Sequence, residues 1–155
     1  MSIVDRLAEI GLVLPRPAAP VAAYVPAVEA AGLLHVSGQL PFRDDGSLIT
    51  GRLGETVDIS GGTEAARRCG LMLVAQIGQA LDGDFSRVAR IVKLGVFVNS
   101  SPNFTDQPKV ANGASELMVH LFGEAGRHAR SAVGVPVLPL GVAVEIDAIV
   151  ALRPA

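Results

Sequence analysis

The clearest pattern along the chain is the alternation of apolar and polar positions in its last third. Over residues 130–137, Ser131, Val133, Val135 and Val137 share one side and Arg130, Ala132, Gly134 and Pro136 the other, because successive strand side chains point to opposite faces. Over residues 142–150, Val142, Val144, Ile146, Ala148 and Val150 form an apolar stripe opposite Ala143, Glu145, Asp147 and Ile149. The pattern predicts two strands. Between them Leu138-Pro139-Leu140-Gly141 predicts a turn that lets them pair antiparallel, although it lacks a two-residue hairpin signature. If both valine-rich stripes face a core, Arg130, Glu145 and Asp147 come to share the other face, with Ala132 and Gly134 leaving room beside the arginine. Such a cluster is either a cross-strand ion pair on a solvated face, contributing about 0.2–1 kcal/mol, or a wall of a ligand site.

Helical periodicity governs the middle of the chain. Ala66, Cys69, Leu73, Ile77 and Ala80 predict a long helix over 62–81 that faces a sheet, capped by Asp58, Ser60 or Thr63 and stopped at Asp82-Gly83. A second helix is predicted over 108–122, with Val110, Leu117, His120 and Leu121 in phase and Gly123 as its stop. Further strands are predicted at 22–29, 33–37 and 88–98, and a short amphipathic helix over 2–11. Residues 15–20 read as an extended connector, since each proline biases the residue before it away from helix. The chain thus divides into an N-terminal helix and Pro-rich connector, 1–20, and a single domain, 21–155. The order within the domain is ββαβαββ. This predicts an α+β fold, with two helices on one face of a mixed sheet and the other face left for neighbouring subunits.

Composition narrows the function classes. The 155 residues are 50% hydrophobic and 18% charged, with no Trp and one Tyr, so the core must be built from aliphatic side chains. No stretch approaches the roughly 18 consecutive apolar residues of a membrane-spanning helix. Asp5 and Glu9 interrupt any secretory leader, so the expected location is cytoplasmic. The lone Cys69 excludes an intrachain disulfide and its helical phase predicts core packing, while three scattered His offer no metal-ligand spacing. A net charge of −2 argues against a nucleic-acid-binding surface. So aliphatic a chain of this size is expected to cover apolar surface by subunit contacts.

Several motifs in order then make the chain recognisable. Tyr24-Val25 precedes Val36-Ser37-Gly38-Gln39-Leu40-Pro41, and Val92-Lys93-Leu94-Gly95-Val96-Phe97-Val98 reads as a central strand. Asn112 and Glu116 follow in the second helix. Last, Ala129-Arg130-Ser131 is followed by Leu138-Pro139 and by Val144-Glu145-Ile146-Asp147-Ala148-Ile149. Over roughly residues 20–150 this resembles the RidA family, the YjgF-type reactive-intermediate deaminases. The resemblance implies a chorismate-mutase-like subunit, a homotrimer with clefts at its subunit interfaces, and hydrolysis of 2-imino or enamino acids to 2-oxo acids and ammonia. That chemistry uses no metal or organic cofactor. By the same resemblance Arg130 binds the substrate carboxylate, whose geometry suits a two-pronged guanidinium, and Glu145 orients and activates the attacking water. Backbone groups of Gly38 and Ala132 meet the nitrogen and carboxylate ends of the substrate, and Tyr24, Ser37 and Asn112 line the cleft.

The chain also departs from the family pattern. Ala132 stands where many members carry cysteine, Asp147 where glutamate is usual, and the N-terminal segment is longer than in short members. These mark a divergent branch and leave two functions in view: the imine deaminase, or a non-catalytic trimer that binds small carboxylates such as 2-oxo acids as a metabolite sensor or partner-binding protein. RNA cleavage, ascribed to some relatives, fits an acidic chain poorly.

Overall fold

The computed structural model describes residues 1–17, 19–20 and 22–155; position 18 in the connector and the expected domain start at 21 lie outside the described residues. The elements in chain order are α1 (Ile3–Glu9), β1 (Ala27–Ala30), β2 (Leu33–Gln39), α2 (Ile59–Ala80), β3 (Val88–Asn99), α3 (Gln107–Phe122), β4 (Ala129–Val135) and β5 (Val144–Leu152). This is the expected order. The strand foreseen over 22–29 shrinks to β1 because Pro26 has no N–H to give a ladder.

The five-stranded sheet has the order β1-β2-β5-β3-β4, with β3 and β4 parallel and the other pairs antiparallel. The expected β4–β5 hairpin does not form. Helix α3 carries the chain back between β3 and β4, so β4 starts from the same end as β3 and must run parallel to it. The chain then passes over β3 and inserts β5 between β2 and β3. Residues 136–143 span this gap easily, since two strand spacings amount to about 9.5 Å and each extended residue covers about 3.3 Å. The turn inside this link holds Leu140 at φ 58° and Gly141 at φ 71°, so one non-glycine residue adopts the left-handed conformation that glycine takes freely.

Helices α2 and α3 cover one face of the sheet, and α1 docks on α3. The stripe of β5 is as foreseen: Val144, Ile146, Ala148 and Val150 are buried against the helices. The face of β4 is reversed. Arg130 and Ala132 are in register with the buried Leu94 and Val96 and so lie on the helix side, whereas Val133 is 46% exposed on the open side. In α2, Ala66, Cys69, Leu73 and Ile77 are fully buried, but Ala80, at the helix end, is exposed. Asp58 is the cap, its Oδ1 accepting the Gly61 N–H at 2.7 Å. Ser2 and Asp5 form a reciprocal capping box on α1. Arg6 Nη1 then donates to Leu121 O at 3.1 Å, and His120 Nε2 donates to Arg6 O at 2.8 Å, which fastens α1 to the end of α3.

Candidate functional site

The two acids of β5 occupy the open face. Glu145 is in register with Phe97 and Asp147 with Gly95, on the side away from the helices. Each leans over a glycine of a neighbouring strand. Glu145 Oε1 lies 2.5 Å from where a Cβ on Gly38 would stand, and Asp147 fills the same space above Gly95. These glycines are needed for room, since neither has a positive φ. Burial pushes the Glu145 carboxyl above its ordinary pKa, and the neighbouring Asp147 charge pushes it further. Burial raises Asp147 as well, against a hydrogen bond from the Gly95 backbone and the attraction of Lys93.

Gly38 sits in an irregular stretch of β2 between its paired residues Val36 and Gln39, beside a small cavity of about 100 Å³. Tyr24, Pro26, Ser37, Phe42 and Leu140 line the cavity with it. Ser37 donates to Pro26 O from both its backbone N–H, at 2.9 Å, and its hydroxyl, at 3.0 Å, so its side chain pins the strand to the segment carrying Tyr24. Tyr24 itself is half exposed.

Arg130 lies elsewhere, at the β4 edge beneath α3. Its Nη1 donates to Asn112 Oδ1 at 2.9 Å and Ser115 Oγ at 3.1 Å, and its Nη2 to Pro108 O at 3.3 Å. It pairs with neither Glu145 nor Asp147, so the cross-strand ion pair considered from the sequence is absent. The physical reason is parity: Arg130 faces the helices, and both acids face away. Ala132 turns its methyl toward the helix-side core. The fold therefore brings Tyr24, Ser37, Gly38 and Glu145 together at one corner and Arg130 with Asn112 at another. It does not join the two corners within one chain.

A family model described as "YjgF/chorismate mutase-like, putative endoribonuclease" matches residues 4–150. The chain belongs to the YjgF/RidA family. Among its relatives, protein TCP17 of Trypanosoma cruzi is 54% identical over 152 residues, covering 97% of this chain and 94% of TCP17. A crystal structure of a protein of unknown function from Agrobacterium tumefaciens superposes with a TM-score of 0.92 at 45% identity, over 97% of this chain and 92% of that one. RidA from an Antarctic Psychrobacter superposes at 0.58 with 28% identity, over 88% and 93% of the two chains. The YjgF/RidA fold is thus shared throughout, with this chain matching the Agrobacterium protein in much finer detail than RidA.

Two residues around Arg130 escape a motif-based reading of YjgF/RidA chains: Ser115 and His128. Ser115 lies three residues after Asn112 and so on the same side of α3, a spacing that would have exposed it had Arg130 been placed on the helix side. Cys69 packs in the core, its thiol against Val144 O at 3.4 Å and its pKa pushed well up by burial. Among the described residues no three His, Cys, Asp or Glu side chains group as a metal site, and no helix is long and apolar enough to cross a membrane.

Proposed function

We propose that this protein hydrolyses 2-imino and enamino acids to 2-oxo acids and ammonia, in clefts where a homotrimer brings Arg130 of one protomer to the Tyr24–Gly38–Glu145 corner of the next. The observation that carries the reading is Glu145: a half-buried carboxyl with a raised pKa, seated over a glycine at the mouth of a small cavity. A general base that must later return its proton works best with its pKa moved toward the working pH. Arg130 holds the substrate carboxylate. Glu145 takes a proton from water as the oxygen attacks the C=N carbon and passes it to the nitrogen, giving a neutral carbinolamine. It then takes the carbinolamine hydroxyl proton and delivers it to the same nitrogen as the C–N bond breaks, leaving the C=O of the product and ammonia. Water and imino acid are consumed, 2-oxo acid and ammonia released. Asp147 contributes by keeping the Glu145 carboxyl easy to protonate.

The test is to generate imino acids in situ with an amino-acid oxidase and follow their loss by semicarbazide trapping. The wild-type protein is expected to accelerate hydrolysis. Arg130→Ala should lose binding and rate together, while Glu145→Gln should lose at least about 100-fold in kcat yet still bind 2-oxobutanoate. Tight binding of 2-oxo acids with no turnover of small or bulky imino acids would replace this reading with that of a carboxylate sensor. Relatives described as endoribonucleases suggest RNA as a substrate, but the net charge of −2 supports a small-molecule one.

A further inference from the structure

Arg130 is held by a chain of hydrogen bonds whose direction can be worked out atom by atom. His128 Nδ1 lies 2.7 Å from Gly126 O, and a carbonyl can only accept, so Nδ1 carries the proton. In the neutral ring Nε2 is then an acceptor, and the group it meets is the Ser115 hydroxyl at 2.9 Å. Ser115 therefore gives its proton to His128 and turns a lone pair toward Arg130 Nη1, 3.1 Å away. Burial holds the His128 pKa below its ordinary value and the Arg130 charge lowers it further, against the Gly126 hydrogen bond, which keeps the ring neutral and the chain in this sense. Arg127, Glu116 and His120 share the surface groove of about 580 Å³ beside this chain, while the two ring nitrogens of His128 are taken by Gly126 O and the Ser115 hydroxyl.

The consequence falls on the guanidinium. Asn112 Oδ1 and Ser115 Oγ take both donors of Nη1, and Pro108 O takes one of Nη2. The Nε–H and the remaining Nη2–H are left over. A guanidinium is a rigid planar fork, so fixing one corner fixes where the rest of it points. We propose that Ser115 and His128 are positioning residues which lock the Nη1 corner of Arg130, so that it presents its Nε/Nη2 edge, side-on, to a substrate carboxylate. This deepens the deaminase reading and rests on it for the identity of the ligand. It also gives Asn112 a different task from the cleft-lining one expected of it: its carbonyl oxygen serves the arginine.

The experiment compares wild type with Ser115→Ala, Ser115→Thr, His128→Leu and His128→Gln. Two readouts are taken: ¹⁵N relaxation of the Arg130 Nε–H in the protein alone, and KM and kcat for imino-acid hydrolysis. Ser115→Ala is expected to mobilise the Arg130 Nε–H and raise KM by roughly tenfold with little change in kcat, the signature of lost uniform binding. Ser115→Thr restores both. His128→Leu reproduces part of the effect, and His128→Gln, whose amide oxygen accepts the same hydroxyl, reverses it. An Arg130 Nε–H as ordered in Ser115→Ala as in wild type overturns the proposal. The relaxation readout decides this even in a protein that hydrolyses no imine, whereas Arg130→Ala tests the deaminase reading separately.

Discussion

Glu145 shows how much a single side chain owes to its immediate surroundings. Its pKa is raised in the folded chain by burial and by Asp147, so folding favours its protonated form. In the unfolded chain it loses its proton at the ordinary carboxylate value, near 4.3. As pH climbs from that value through the raised one, the unfolded state releases its proton first, so stability falls across this window and the whole penalty is present above it. Glu145→Gln removes the penalty. It is expected to raise the melting temperature at pH 7.5 by roughly 1–3 °C, allowing for screening of a half-exposed group, and to leave it unchanged at pH 4. Calorimetric scans at the two pH values check this. A gain at pH 7.5 from a substitution that also abolishes turnover would mark the carboxyl as kept for chemistry at a cost in stability.

Between elements, the close contact of α2 and α3 depends on glycine. A Cβ on Gly113 would collide with the backbone of Thr63 and Arg67 across the helix pair. Gly113→Ala gains about 1 kcal/mol of helix propensity, but the clash is with main chain that cannot rotate away. A net loss of about 1–3 kcal/mol is expected, read as a lower urea midpoint. The same scale explains what was legible in the sequence. The stripe of β5 could be read because β5 lies inside the sheet, with helices on one side, so local alternation and burial agree. In β4 they disagree. It is an edge strand with valines facing outward and an arginine tucked beneath α3, and its partner is β3 rather than the strand that follows it. Alternation assigns two faces but cannot say which is inner, and that depends on the crossover through α3. The motifs placed Gly38, Glu145 and Arg130 in one cleft, but neither the contact of Glu145 with Gly38 nor the separation of Arg130 from both was legible, because each depends on which strands become neighbours.

At the scale of the molecule, one broad surface remains uncovered. Phe97, Val133 and Ile149 lie on the open side of the sheet among Glu145, Asp147 and Lys93, and α2 and α3 cover only the opposite side. Val133 at 46% exposure and Phe97 beside it form an apolar patch that a soluble chain normally covers with a partner. This is the surface the proposed homotrimer would close. Sedimentation of the purified chain is expected to give a trimer, and Val133→Arg to give monomers with the fold of each chain intact by circular dichroism.

The opposed facing of Arg130 and Glu145 has a consequence that can be read as complementation. Subunits carrying only Arg130→Ala, or only Glu145→Gln, are each expected to be inactive. If they are unfolded together and reassembled, some clefts will receive a sound arginine from one chain and a sound glutamate from another. With random mixing of equal amounts in a ring of head-to-tail interfaces, roughly a quarter of the clefts recover both. Activity returning to about that fraction would show that two defective chains can share one working site; none returning would place both groups in the same chain's cleft.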